Sequence, residues 1–136
     1  MPKLRLRRFD PTTIPSDRLV LMVAPRGSGK SYAMKNILYY KRDIPIGILA
    51  CPTVETNPEY KEMVPDAFVY DDFYPEAIDR LMDRQKRKVA EYGARGETPP
   101  NAFLIADDCL ADKKLWKTKT IRDIFLNVSA FSFLTC

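Results

Sequence analysis

Hydrophobic positions along the chain follow two periodicities. Three short runs are apolar without interruption: Leu19-Val20-Leu21-Met22-Val23, Ile46-Gly47-Ile48-Leu49-Ala50 and Ala102-Phe103-Leu104-Ile105-Ala106. Runs of this length and make-up predict parallel strands buried on both faces. A shorter segment, Ala67-Phe68-Val69-Tyr70, predicts a further short strand. Between the runs the spacing becomes helical. Tyr32-Ala33-Met34-Lys35-Asn36-Ile37-Leu38 favours a helix that ends near Lys41-Arg42-Asp43. Ile78, Leu81, Met82, Val89 and Tyr92 trace one face of a second helix, with Pro75 as an early helical residue. Residues 93–100 carry the glycines and prolines of an exposed loop. Asp112 is placed to cap a last helix bearing Leu115, Trp116, Ile121, Ile124 and Phe125. Such alternation predicts an α/β fold, a parallel sheet with helices on both faces. Residues 1–15 read as a basic arm with turn chemistry at Asp10-Pro11-Thr12-Thr13, and residues 16–136 as one core.

Composition narrows the class. A chain of 136 residues, 46% hydrophobic and 29% charged, buries a real core as one globular domain. No apolar stretch approaches the roughly 20 residues of a membrane span. The basic start, Met1-Pro2-Lys3-Leu4-Arg5-Leu6-Arg7-Arg8, has no apolar segment behind it, so no secretory signal is expected and the expected compartment is intracellular. The chain has no histidine, which excludes His-based catalysis and most zinc sites. Cys51, Cys109 and Cys136 lack metal-ligand spacing and their odd number argues against a disulfide framework; two of them lie beside predicted strands, which makes small buried thiols the expected reading. Lys and Arg exceed Asp and Glu by 22 to 18. The excess clusters in the arm, in Arg84-Gln85-Lys86-Arg87-Lys88, and from Lys113-Lys114 through Lys117 and Lys119 to Arg122. These clusters could neutralise nucleic-acid phosphates, but taken alone they read first as the solvated faces of amphipathic helices.

The chemistry concentrates in Ala24-Pro25-Arg26-Gly27-Ser28-Gly29-Lys30-Ser31, between the first strand and the first helix. Strand, small-residue loop and Gly-Lys-Ser opening a helix are the parts of a phosphate-binding P-loop. The backbone N–H groups and the positive end of the helix dipole face the phosphates. Residues Ala24 through Tyr32 are the candidate nucleotide-binding residues, with Lys30 on the β- and γ-phosphates and Ser31 on Mg²⁺. Ala24 stands where the usual pattern has its first glycine. Phosphoryl transfer also needs a carboxylate for the metal and a group to orient water. The third apolar run ends in Asp107-Asp108, which supplies both: Asp107 as metal carboxylate, Asp108 as the catalytic acid polarising water. The bland alternative makes Asp108 a turn or cap residue.

Taken together, these motifs resemble the additional-strand, RecA-like P-loop ATPases, in particular the HerA/FtsK-like DNA-packaging ATPases of large cytoplasmic DNA viruses. The resemblance runs from about Leu19 to Asn127. Its narrower parts are the stretch Cys51-Pro52-Thr53…Asn57…Tyr60, the triplet Asp107-Asp108-Cys109, and Ile121-Arg122-Asp123-Ile124-Phe125-Leu126-Asn127. It implies a three-layer sandwich, ATP and Mg²⁺ as ligands, and catalytic roles for Lys30 and Asp108. It also implies assembly as a ring, double-stranded DNA and capsid or virion proteins as partners, and a location in host cytoplasm, viral factory or virion.

The tail departs from the family. After Asn127 the chain reads Val128-Ser129-Ala130-Phe131-Ser132-Phe133-Leu134-Thr135-Cys136, without the strand that ends in a sensor glutamine. Relative to the family the sheet is expected to be incomplete at its C-terminal end. In the additional-strand class, the strand after the acid pair inserts between that strand and the P-loop strand, and residues 130–134 are apolar enough to fill the slot. Neither Arg26 nor Arg95 reads as an arginine finger. Two other readings stay open: a non-catalytic nucleotide-binding or assembly module, and a small nucleoside or nucleotide kinase.

Overall fold

The structure is a computed structural model describing residues 3–15, 18–109, 111–126 and 131–135, the last as a backbone strand. Met1 and Pro2, Ser16 and Asp17, Leu110, Asn127 through Ala130, and Cys136 lie outside the described residues.

Among the described residues five strands form one parallel sheet: β1 (Leu19–Leu21), β2 (Ile46–Ala50), β3 (Val69–Tyr70), β4 (Ala102–Ala106) and β5 (Phe131–Thr135), in the spatial order β1-β5-β4-β2-β3. The slot expected beside β4 is therefore filled, with β5 pairing Leu19 to Phe133 on one side and Leu104 to Phe133 on the other. Among the described residues four helices cover the sheet: α1 (Lys30–Tyr40), α2 (Glu59–Met63), α3 (Pro75–Ala94) and α4 (Lys119–Leu126).

Strand pleating sends alternate side chains to opposite faces, and β2 and β4 are buried on both. Ile48, Ala50, Leu104 and Ala106 pack with Ile78, Leu81 and Met82 of α3 and Ile121 and Ile124 of α4. Leu49, Phe103 and Ile105 pack on the other face with Met34, Ile37 and Leu38 of α1 and Tyr60 of α2. The result is a helix–sheet–helix sandwich, the layered α/β fold that the alternation predicts. The buried strands are the ones whose apolar runs match the observed bounds residue for residue.

Departures have local causes. β1 stops at Leu21 and forms the sheet edge; Leu21 and Val23 are exposed. β3 keeps only two residues because Asp66–Phe68 close a 3₁₀ turn, the Phe68 N–H donating to Pro65 O at 2.8 Å. α3 runs past the expected break at Gly93. It ends where Gly96 supplies a φ of 69° and the Glu97 N–H donates back to Tyr92 O at 2.9 Å. Its distal part leaves the core, so Val89 is exposed, while Gln85, unexpected among apolar neighbours, is buried and donates to Pro100 O at 3.0 Å.

Asp112 does not cap the last helix. Its carboxylate accepts from the Lys114 N–H at 2.8 Å, opening a turn that leads into a 3₁₀ segment at Leu115–Lys117. Thr118 holds the start of α4 instead, its Oγ1 accepting from the Ile121 N–H at 3.4 Å. Ile121 and Ile124 are buried as expected, whereas Trp116 and Phe125 are exposed. In the arm, Asp10 accepts from the Thr12 N–H at 3.0 Å and caps the 3₁₀ turn Pro11–Thr13, realising the turn chemistry read there.

Candidate functional site

β1, β2 and β4 run parallel, so their carboxyl ends share one edge, where open α/β sheets bind ligands. A cleft of about 750 Å³ opens there, within the range of small-molecule sites. Its lining includes Ala24, Arg26, Gly27, Gly29, Lys30, Ser31 and Tyr32 from one side, and Asp107 and Asp108 from the other.

The β1–α1 connection needs two left-handed residues, and glycines supply both: Gly27 at φ 76° and Gly29 at φ 91°. Between them the chain turns tightly, the Ser28 N–H donating to Pro25 O at 3.3 Å. Pro25 and Ser28 form the back of this turn and are not among the cleft-lining residues. Gly29 is the N-cap of α1 and offers no side-chain cap. The first N–H groups of the helix have no intrahelical partner, and Lys30, Ser31 and Tyr32 open onto the cleft. That arrangement suits an anion. The Lys30 ammonium donates to Ala24 O at 2.7 Å and Pro25 O at 3.3 Å, folding over the loop it would share with a phosphate.

Ser31 and Asp107, 76 residues apart in sequence, meet directly: the Ser31 hydroxyl donates to Asp107 Oδ2 at 3.1 Å. Asp107 is buried, and its N–H continues the β2–β4 ladder by donating to Ala50 O at 2.9 Å. The adjacent Asp108 sits at φ 56°, the left-handed region that costs a non-glycine residue energy. That turn throws its side chain out of the strand's line, exposed and on the cleft.

A third wall carries residues to which the sequence reading gave no role. Thr53, Thr56 and Asn57 follow β2 and line the cleft. Asn57 Nδ2 donates to Thr53 O at 3.2 Å, closing this segment on itself. It delivers Tyr60, fully buried, whose hydroxyl donates to Asp107 Oδ2 at 2.8 Å. Burial first, then the carboxylate beside it, pushes the phenol well above its ordinary value, so Tyr60 stays a donor. The resemblance already picks out Thr53, Asn57 and Tyr60, and their position after β2, at the strand end where ligands bind, is the signal for a role there.

Of the remaining candidates, Cys51 and Cys109 are buried free thiols, and burial foremost pushes Cys109 up to about 12. Arg95 pairs with Glu91 and stacks on Tyr92, as a surface charge does. Among the described residues no group of three or more acidic, cysteine or histidine side chains gathers as a metal cage, and no helix is long and apolar enough to cross a membrane.

No family model matches the chain, and no solved structure matches it either. Its relatives are viral. It is 35% identical to an uncharacterized protein of Acanthamoeba polyphaga mimivirus, over 92% of this chain and 46% of that protein. An uncharacterized protein of Frog virus 3 is 36% identical over 85% of this chain and 35% of its own length. One of Invertebrate iridescent virus 6 is 30% identical over 79% and 41%, respectively. The chain thus spans less than half the length of these relatives, all from large DNA viruses.

Proposed function

We propose that this chain binds Mg·ATP in the cleft between the Ala24–Tyr32 segment and Asp107-Asp108, and that it belongs to an ATP-hydrolysing motor that packages viral genomic DNA. The observation that carries the nucleotide reading is the Ser31–Asp107 hydrogen bond of 3.1 Å, which brings a Gly-Lys-Ser helix start and a strand-end carboxylate into one site. Viral relatives and the resemblance to packaging ATPases support the motor role.

The donor set suits magnesium, which takes one or two protein oxygens and completes its shell with water and substrate phosphate. Ser31 Oγ and, through water, Asp107 would hold it. Held there, a magnesium ion would supply charge neutralisation for the phosphates. The chain's own residues do the rest. Helix-start N–H groups and Lys30 bind and orient the phosphates, and Lys30 leaves the carbonyls of Ala24 and Pro25 to do so. Asp108, exposed on the cleft and apart from the Ser31–Asp107 pair, orients and polarises the attacking water. Basic clusters on the arm, on α3 and at 113–122 are the candidates for phosphate contacts to duplex DNA, which carry no sequence information.

The test is steady-state ATP hydrolysis with Mg²⁺, with and without duplex DNA. Turnover should rise with DNA and fall about 10²-fold or more in Lys30→Ala and Asp108→Asn. ATP binding with no turnover, with or without DNA, would reject the motor and leave a nucleotide-binding assembly module.

A further inference from the structure

We propose that Tyr60 is a positioning residue of this site: its buried phenol holds the Asp107 carboxylate in the orientation that lets Asp107 and Ser31 serve one divalent cation. The inference rests on the Mg·ATP reading of the cleft. A carboxylate turns easily about its last torsion, so Asp107 needs partners to keep one oxygen toward the site. Among the described residues it has two, both on Oδ2: Ser31 at 3.1 Å and Tyr60 at 2.8 Å.

The two donors differ in kind. Ser31 lies on the cleft and is itself the candidate metal ligand, so its hold on Asp107 changes when a cation arrives. Tyr60 is fully buried and cannot become a ligand. Its hold is constant.

The phenol is also fixed from behind. Its hydroxyl is 3.7 Å from the Met34 sulfur, the Lys35 ammonium lies 5.3 Å over its ring, and Lys35 pairs with the neighbouring Glu59. α1, which carries Ser31, and α2, which carries Tyr60, are thereby locked to each other around one carboxylate. The same segment that places Tyr60 presents Thr53 and Asn57 to the cleft, so Tyr60 ties that wall to the metal carboxylate.

Partners that orient a metal ligand are worth about 10–100-fold in metal affinity. The experiment titrates Mg²⁺ against the binding of a fluorescent ATP analogue, with an EDTA arm, for wild type and Tyr60→Phe. Tyr60→Phe should bind the analogue in EDTA as wild type does, because Lys30 and the loop are untouched, yet need about tenfold more Mg²⁺ for half-saturation. A Mg²⁺ curve unchanged in Tyr60→Phe overturns the proposal and leaves the nucleotide reading standing. A wild-type chain with no Mg²⁺-dependent binding overturns both. If Tyr60→Phe alone fails to fold, the double variant Tyr60→Phe/Asp107→Asn, which leaves no charged carboxylate short of a donor, is compared with Asp107→Asn. Equal Mg²⁺ curves support the proposal, and a further loss in the double variant overturns it, since the phenol would then act elsewhere.

Discussion

Replacing Gly47 by alanine tests the packing that carries α1. Gly47 lies directly opposite Phe103 in the β2–β4 ladder, and the Phe103 ring covers it. A Cβ at position 47 would come closer than 3.0 Å to three carbons at the near end of that ring. The ring is buried in the cluster that holds Met34, Ile37 and Leu38, which limits its retreat. Overpacking of a close-packed core costs about 1–3 kcal/mol, and the full clash here argues for the upper part of that range. Alanine recovers about 0.5–1 kcal/mol that glycine loses in a strand. The net loss is therefore about 1–2 kcal/mol. At this chain length that lowers the melting temperature by about 4–8 °C. Urea unfolding followed by circular dichroism gives the free energy, and Phe103→Leu in the same background should recover part of it, with a coupling of at least about 0.5 kcal/mol. A Gly47→Ala protein as stable as wild type would refute the reasoning.

Two further predictions concern the acid turn. At the left-handed Asp108, glycine should be about 1 kcal/mol more stable than alanine, while both substitutions abolish turnover and spare ATP binding; an Asp108→Ala chain melting at or above Asp108→Gly would contradict this. Cys109 is held neutral by burial, its folded value raised to about 12 against an ordinary 9.0. Stability from this group is complete below pH 9.0 and is lost as pH rises toward 12. Cys109→Ser should flatten that alkaline limb in pH-dependent denaturation, and an unchanged limb would remove the thiol as its cause.

Much of the frame was legible because its signals are local. β2 and β4 are uninterrupted apolar runs, since strands buried on both faces leave no room for a polar residue, and their ends mark the runs' ends. The Gly-Lys-Ser loop and the acid pair were legible because spacing alone puts them at strand ends. What stayed hidden depends on partners far along the chain. Tyr60 stands out in the sequence only as part of the stretch after β2, and its role is invisible until the fold brings Asp107, 47 residues away, to its hydroxyl. Gly47 reads as a weak strand residue until Phe103 is seen lying across it. Gln85 falls within a charged run, and its burial follows from the Pro100 carbonyl that returns to meet it. α3 runs two residues into the expected loop because Gly93 is tolerated inside the helix, and the left-handed Gly96 does the stopping. Asp112 and Thr118 both suit an N-cap by type, and only the intervening 3₁₀ turn decides between them.

The most direct test of the account is calorimetric titration of the chain with Mg·ATP, beside Lys30→Ala. A charged hydrogen bond of the kind Lys30 would make to phosphate contributes about 1.5–3 kcal/mol. The account predicts one saturable site in the wild-type chain and about 10–150-fold weaker binding in Lys30→Ala. Absence of binding, or equal affinity in the two proteins, would contradict it.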